Sequence, residues 1–209
     1  MARASPQLAT AALNESWLGS DVSLHELPAD LPAPVDDGAC DHLAGLAVPA
    51  LVLDSSQGPV DLQALGAELA VLYIYPRTGP PDRPVPPAWD AIPGARGCTP
   101  QSCGFRDHAA ELAGAGARVA GLSAQTLEEQ IEFAEREHIP FPVVADPERR
   151  LGDELRLPTF DFEGATLYKR VTLVLEAGVV AKVFYPVFPP DQNAAEVVAW
   201  LEGRESPSS

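Results

Sequence analysis

The sequence is poor in cations, in cysteine and in long apolar runs, and each shortage excludes a class of function. Only 14 Lys and Arg stand against 30 Asp and Glu in 209 residues, a formal charge of −16, so phosphate-rich partners such as nucleic acid or an anionic membrane would be repelled. The longest apolar runs, such as Leu69 to Tyr75, are about a third of the roughly 20 residues a membrane-spanning helix needs. Three cysteines, Cys40, Cys98 and Cys103, are too few to staple a secreted scaffold. Met1 to Leu13 lacks the compact apolar centre of a signal peptide, and the expected compartment is a reducing cytoplasm. No glycine-rich phosphate loop follows a strand, and His25, His42, His108 and His138 show no ligand spacing, so no nucleotide or metal cofactor is expected.

What is present is a single globular domain with appendages. Residues 1–46, rich in Ala, Asp and Pro, read as an N-terminal extension; residues 47–203 read as the domain, and 204–209 as a polar tail. Ala50 to Leu53 and Leu69 to Tyr75 read as strands, the second of them buried. Seven prolines between Pro76 and Pro93 demand a loop, with residues 77–93 as an insertion. Thr99 to Ala115 reads as a helix capped by Thr99, followed by a strand at Arg118 to Leu122 and a helix at Thr126 to His138. A strand at Pro142 to Ala145 and a helix from Asp146 to Leu155 continue the alternation. Val171 to Leu175 and Val179 to Tyr185 form a hairpin, and Asn193 to Leu201 a closing helix. This order describes an α/β, thioredoxin-like fold with a mixed central sheet flanked by helices.

The chemistry concentrates in the segment Gly97 to Asp107. A thiol at a helix start faces unpaired N–H groups and the positive end of the macrodipole, which favours Cys98 as a nucleophile. On one helix Cys98 and Cys103 would lie about 7.5 Å apart along the axis and about 140° apart around it, so a bridge between them requires the helix to unwind locally. The alternative is a buried structural Cys103 beside an ordinary surface thiol. The same angular spacing prevents Cys98, Cys103 and His108 from sharing a metal. Cys40, among carboxylates, reads as incidental. Arg106 with Asp107 reads as a surface ion pair or a helper of the site, and Tyr185 to Pro190 as either an exposed patch or a packed strand exit.

From about Val48 to Leu201 the chain resembles the peroxiredoxins, in particular the Q-type or bacterioferritin comigratory subgroup. The resemblance rests on Tyr75-Pro76, on Gly97 to Asp107, on Val119 to Ser123, on Phe141 to Asp146 and on Lys169 to Leu175. It implies a peroxidase acting on hydrogen peroxide or organic hydroperoxides, with Cys98 as the peroxidatic thiol, Cys103 as the resolving thiol and Arg170 supporting both thiolate and peroxide. It also implies a sulfenic acid, a Cys98–Cys103 disulfide and recycling by thioredoxin or a similar dithiol, in a monomer or homodimer. Gln101 is expected to bond the arginine, and Thr99 to lie near the substrate.

Two departures stand out. Where the family carries an active-site proline and a threonine or serine, this chain has Ala91 and Ala95, and Pro76 stands 22 residues before Cys98. Pro93 is then the candidate replacement for the shielding proline, and Thr78 or Thr99 for the hydroxyl. Trp89 reads either as an apolar lip that would favour bulkier organic hydroperoxides or as a packed anchor of a rigid loop. The competing function on the same fold is a peroxide-responsive redox switch with little turnover.

Overall fold

The computed structural model describes residues 24–80, 83 and 85–204. In chain order the elements are β1 (Val52–Leu53), β2 (Val60–Asp61), α1 (Leu62–Gly66), β3 (Ala70–Ile74), α2 (Pro87–Asp90), α3 (Cys98–Asp107), α4 (Ala109–Gly114) and β4 (Arg118–Ser123). They continue as α5 (Leu127–Arg136), β5 (Val143–Ala145), α6 (Arg150–Leu155), β6 (Thr159–Phe162), β7 (Ala165–Tyr168), β8 (Val171–Glu176) and β9 (Val179–Phe184). A 3₁₀ turn, Pro190–Gln192, then leads into α7 (Asn193–Arg204).

The central sheet has the order β5-β4-β3-β8-β9, with β3, β4 and β5 parallel and β8 and β9 antiparallel to their neighbours. This is the mixed thioredoxin-like sheet expected. The apolar run of β3 is unbroken because both faces are covered. Leu72 and Ile74 face a core with Leu43, Leu62, Leu151, Tyr168 and Leu173, whereas Val71 and Tyr73 face Phe105, Leu112, Phe133, Val197 and Leu201. Gly121 on β4 lies under Tyr73, where a Cβ would come within 2.6 Å of the phenol.

Several boundaries differ from the sequence reading for identifiable reasons. The helix expected over Thr99 to Ala115 is two helices, because His108 leaves helical geometry (φ −93°, ψ 9°) between α3 and α4. Thr99 does not cap it. The cap position belongs to Gly97 at φ 101°, and no side chain caps the first turn. Only glycine suits that place, since a Cβ there would stand 2.3 Å from Pro190 Cγ. Asp146 does prepare α6, but from four residues upstream: its carboxylate accepts from Arg150 N and Leu151 N, and Arg149 turns the chain at φ 54°. The proline-rich insertion contains one helical turn, α2, at its end. β6 and β7 form a hairpin that the sequence reading lacked, turning at Glu163 (φ 51°) and Gly164 (φ 81°).

Within the extension, residues 1–23 lie outside the described residues, but residues 38–46 pack on the domain. Leu43 and Cys40 are buried, and Gly45 N donates to Val180 O while Val180 N donates to Leu46 O, each at 2.8 Å along the β9 edge. Asp37 receives Lys169 Nζ at 2.6 Å and the Tyr185 hydroxyl at 2.7 Å, and these partners hold its carboxyl down at about 2. The strand exit after β9 packs inward at Val187 and Pro190 and leaves Phe188 exposed.

Phe105 ties α3 to the sheet: it is fully buried, and its ring stacks on Tyr73 at 4.4 Å between centroids. Phe105→Ala is expected to lower stability by about 3–5 kcal/mol, read as a shift of the urea midpoint.

Candidate active site

The first turn of α3 carries Cys98, and two elements far apart in sequence close around it. Arg170, which immediately precedes β8, is 4% exposed, and its Nη2 donates to Cys98 Sγ at 3.3 Å. The same nitrogen donates to Ala95 O and Arg96 O, both at 3.1 Å, and to Gly94 O at 3.2 Å. One guanidinium therefore fixes the turn that delivers the thiol as well as the thiol itself. Cys98 Sγ in turn reaches Ala95 O at 3.6 Å.

Gln101, one turn into α3, orients the arginine. Its Oε1 accepts from Arg170 Nη1 at 2.5 Å, and its Nε2 donates to Asn193 Oδ1 at 2.9 Å. Asn193 Oδ1 also accepts from the Thr172 hydroxyl at 2.7 Å, so β8, α7 and α3 are joined by one buried polar chain. Thr99 is buried at the rim of Cys98.

A cleft of only about 20 Å³ opens on Cys98, lined by Thr99, Thr78, Trp89, Arg77, Arg96 and Leu24 among others. Trp89 serves both readings made of it. It lines the cleft and is also packed against Phe160 and Phe162, with the Arg77 guanidinium 4.8 Å over its ring. Pro93 is elsewhere: it is exposed and lines a separate cavity of about 390 Å³ with Lys169, Tyr185 and Arg170, so it does not shield the thiol. Thr78 is buried, and its hydroxyl donates to Gln125 Oε1 at 3.1 Å.

Thr78, a candidate for the hydroxyl, does line the cleft, but two cleft residues escaped the sequence reading: Arg77, and Arg96, which is 5% exposed and ion-paired with Asp90 at 3.5 Å. The available signal was one of charge. Arg77, Arg83 and Arg96 all fall between Pro76 and Cys98 in an otherwise acidic chain. Arg106 pairs with Asp107 at 2.8 Å on the surface and also donates to Glu137 O at 2.8 Å, fastening the end of α5 to α3.

Cys103 lies on the same helix, buried, with its Sγ 3.6 Å from Glu137 Oε2. Burial, reinforced by the Glu137 carboxylate, pushes its thiol up to about 11, against a lowering by Arg106. Burial and the neighbouring Asp37 and Asp36 push Cys40 up to about 12. Both thiols therefore remain protonated at neutral pH. In the reduced native protein at pH 7, Cys40 and Cys103 are expected to resist iodoacetamide and to label only after denaturation, as peptide mass spectrometry would read. Rapid native labelling of Cys103 would contradict its burial.

A thioredoxin-like domain with a buried thiol at an uncapped helix start, gripped by a buried guanidinium, defines a thiol-based redox protein. The Redoxin family model matches residues 43–199. A chloroplastic peroxiredoxin Q of Sedum lineare is 31% identical over 160 residues, covering 76% of this chain and 77% of the relative. Among solved structures, the peroxidoxin BcpB of Mycobacterium tuberculosis superposes with a TM-score of 0.63 at 26% identity, covering 78% of this chain and 98% of that one. Peroxiredoxin Q of Xanthomonas campestris gives 0.61 at 25% identity, covering 78% and 99%. The chain belongs to the Redoxin family and, within it, to the Q-type peroxiredoxins; it is a thiol peroxidase, an oxidoreductase that acts on peroxide.

Proposed function

We propose that Cys98 is the peroxidatic thiol and Cys103 the resolving thiol of a cycle completed by thioredoxin. The observation that carries this reading is Arg170 Nη2 at 3.3 Å from Cys98 Sγ in a buried site. The Cys98 thiolate attacks one peroxide oxygen, the O–O bond breaks, and the departing alkoxide or hydroxide takes up a proton as it leaves. Arg170 stabilises the thiolate and the charge building on the leaving oxygen. The Thr78 hydroxyl gives its proton to Gln125 and retains lone pairs to accept from the peroxide O–H, the role left vacant at Ala95.

The sulfenic acid formed on Cys98 then loses water as Cys103 attacks its sulfur to give the disulfide. Both cysteines lie within α3, about 7.5 Å apart along its axis, beyond the roughly 6.8 Å a disulfide tolerates between Cα atoms. The first turns must unwind. The absence of a side-chain cap at Gly97 and the presence of Gly104 inside the helix, a residue that costs about 1 kcal/mol relative to alanine, lower the energy of doing so. A dithiol reductant such as thioredoxin, in a reducing compartment such as the cytoplasm, returns both thiols by exchange. The small cleft favours hydrogen peroxide; cumene hydroperoxide requires the Leu24 and Trp89 walls to move apart.

The test is NADPH consumption with thioredoxin and thioredoxin reductase. Wild type turns over many times, hydrogen peroxide faster than cumene hydroperoxide, and Cys98→Ser abolishes turnover. Cys103→Ser allows one oxidation and stops at a sulfenic acid or mixed disulfide, detected by dimedone labelling. Persistent turnover of Cys98→Ser sinks the assignment. A redox switch is the second reading, favoured by Ala95 and by the closed cleft; one oxidation per molecule with no turnover in wild type would establish it.

Arg170→Ala is expected to slow oxidation by at least tenfold, because the donor beside the sulfur and the developing charge on the leaving oxygen is lost. An unchanged rate of oxidation would remove Arg170 from the chemistry.

A further inference from the structure

The histidines show no ligand spacing along the chain, yet folding brings one of them to the second cysteine. His25, in a turn of the extension, lies with Nδ1 4.0 Å from Cys103 Sγ and Nε2 3.6 Å from Glu137 Oε2, while Cys103 Sγ and Glu137 Oε2 are 3.6 Å apart. Sulfur, imidazole nitrogen and carboxylate oxygen thus converge from three elements, with all ligand atoms within 4.8 Å of one another. Zinc bonds of about 2.0–2.3 Å in a tetrahedron place neighbouring ligand atoms about 3.3–3.6 Å apart; the sulfur–carboxylate pair already has that spacing, and since only one ring nitrogen can ligate, the exposed imidazole closes in from a separation of at most 4.8 Å. The Glu137 side chain is 5% exposed, and its other oxygen is held by Arg136 Nη1 at 2.5 Å, so Oε2 is aimed at the cluster. His25 is 56% exposed, which gives an ion a way in and leaves the fourth position to water.

We propose that His25, Cys103 and Glu137 form a site for a borderline divalent cation, zinc above all, that withdraws the resolving thiol from the peroxidase cycle. Binding replaces the Cys103 thiol proton, released to solvent, with a sulfur–metal bond, and no electron is transferred. The metal also ties the extension to α3. Leu24 lines the Cys98 cleft and Leu27 lies against Gly97, so this short segment passes over both cysteines. A fastened segment holds α3 helical and opposes the unwinding that disulfide formation requires. His25 precedes residue 43, where the Redoxin match begins, so the extension supplies this ligand to two that lie within the matched domain. The regulatory half of the proposal rests on the role of Cys103 given above; the metal site itself does not.

The test titrates the reduced full-length protein with Zn²⁺ against a chromophoric chelator, and with Co²⁺ to read the thiolate-to-metal absorption. One ion per chain is expected for wild type and for Cys98→Ser, with binding at least tenfold weaker in Cys103→Ser, His25→Ala and Glu137→Gln and in the disulfide form. His25→Ala, changed on an exposed turn, covers the case in which Glu137→Gln fails to fold. Undiminished binding by Cys103→Ser, loss only with Cys98→Ser, or no binding by wild type overturns the site. Stoichiometric Zn²⁺ is expected to slow peroxide turnover at least tenfold in wild type and far less in His25→Ala. Tight binding with unchanged turnover overturns the regulatory half alone, and a protein with no turnover in any form would overturn the peroxidase reading while the titration still decides the site.

Discussion

The site depends on one buried guanidinium. Arg170 gathers Cys98 Sγ, three carbonyl oxygens of the turn before it and the Gln101 amide. Carbonyls converging in this way would repel one another without a cation among them, and a buried acceptor left unmet costs about 1–3 kcal/mol. The cation that donates to the Cys98 sulfur therefore also holds the backbone that presents it. In a chain carrying a charge of −16, it is a buried local reversal of sign.

Around that centre the protein balances holding against release. Phe105 anchors the middle of α3 on Tyr73, while the start of the helix has no side-chain cap and is held from above by Pro190 and Leu27. The core contact of α3 thus lies behind the turn that carries Cys98. The extension lies across that turn. It is docked through Asp37 on Lys169 and Tyr185, and through Gly45 and Leu46 on the β9 edge.

The insertion between Pro76 and Cys98 reshapes the approach to the thiol. It places Trp89, packed on the β6–β7 hairpin, and the Arg77 guanidinium in the wall of the cleft. The family hydroxyl is absent at Ala95, and its candidate substitutes, Thr78 at the start of the insertion and Thr99 beyond its end, both line the cleft.

The order of strands and helices, the hairpin of β8 and β9, and the Cys98 to Cys103 segment were legible in the sequence, because alternation, helical periodicity and a thiol at a helix start are local patterns. The break at His108, the cap at Gly97 and the β6–β7 turn were not, since each is set by what packs beside it: Pro190 over Gly97, or paired positive φ angles that Glu163 gives no sign of adopting. Pro93 illustrates the same limit, as proximity along the chain suggested a shield for the thiol and the fold turned the residue toward another cavity. The meeting of His25, Cys103 and Glu137 lay further beyond reach, because residues 78 and 34 positions apart come together only through packing of the extension and α5 on α3. The sequence by itself determined the fold class and the thiol chemistry, which follow from short-range pattern and residue type; only tertiary structure decided which groups surround each thiol, because those neighbours are brought together by long-range packing.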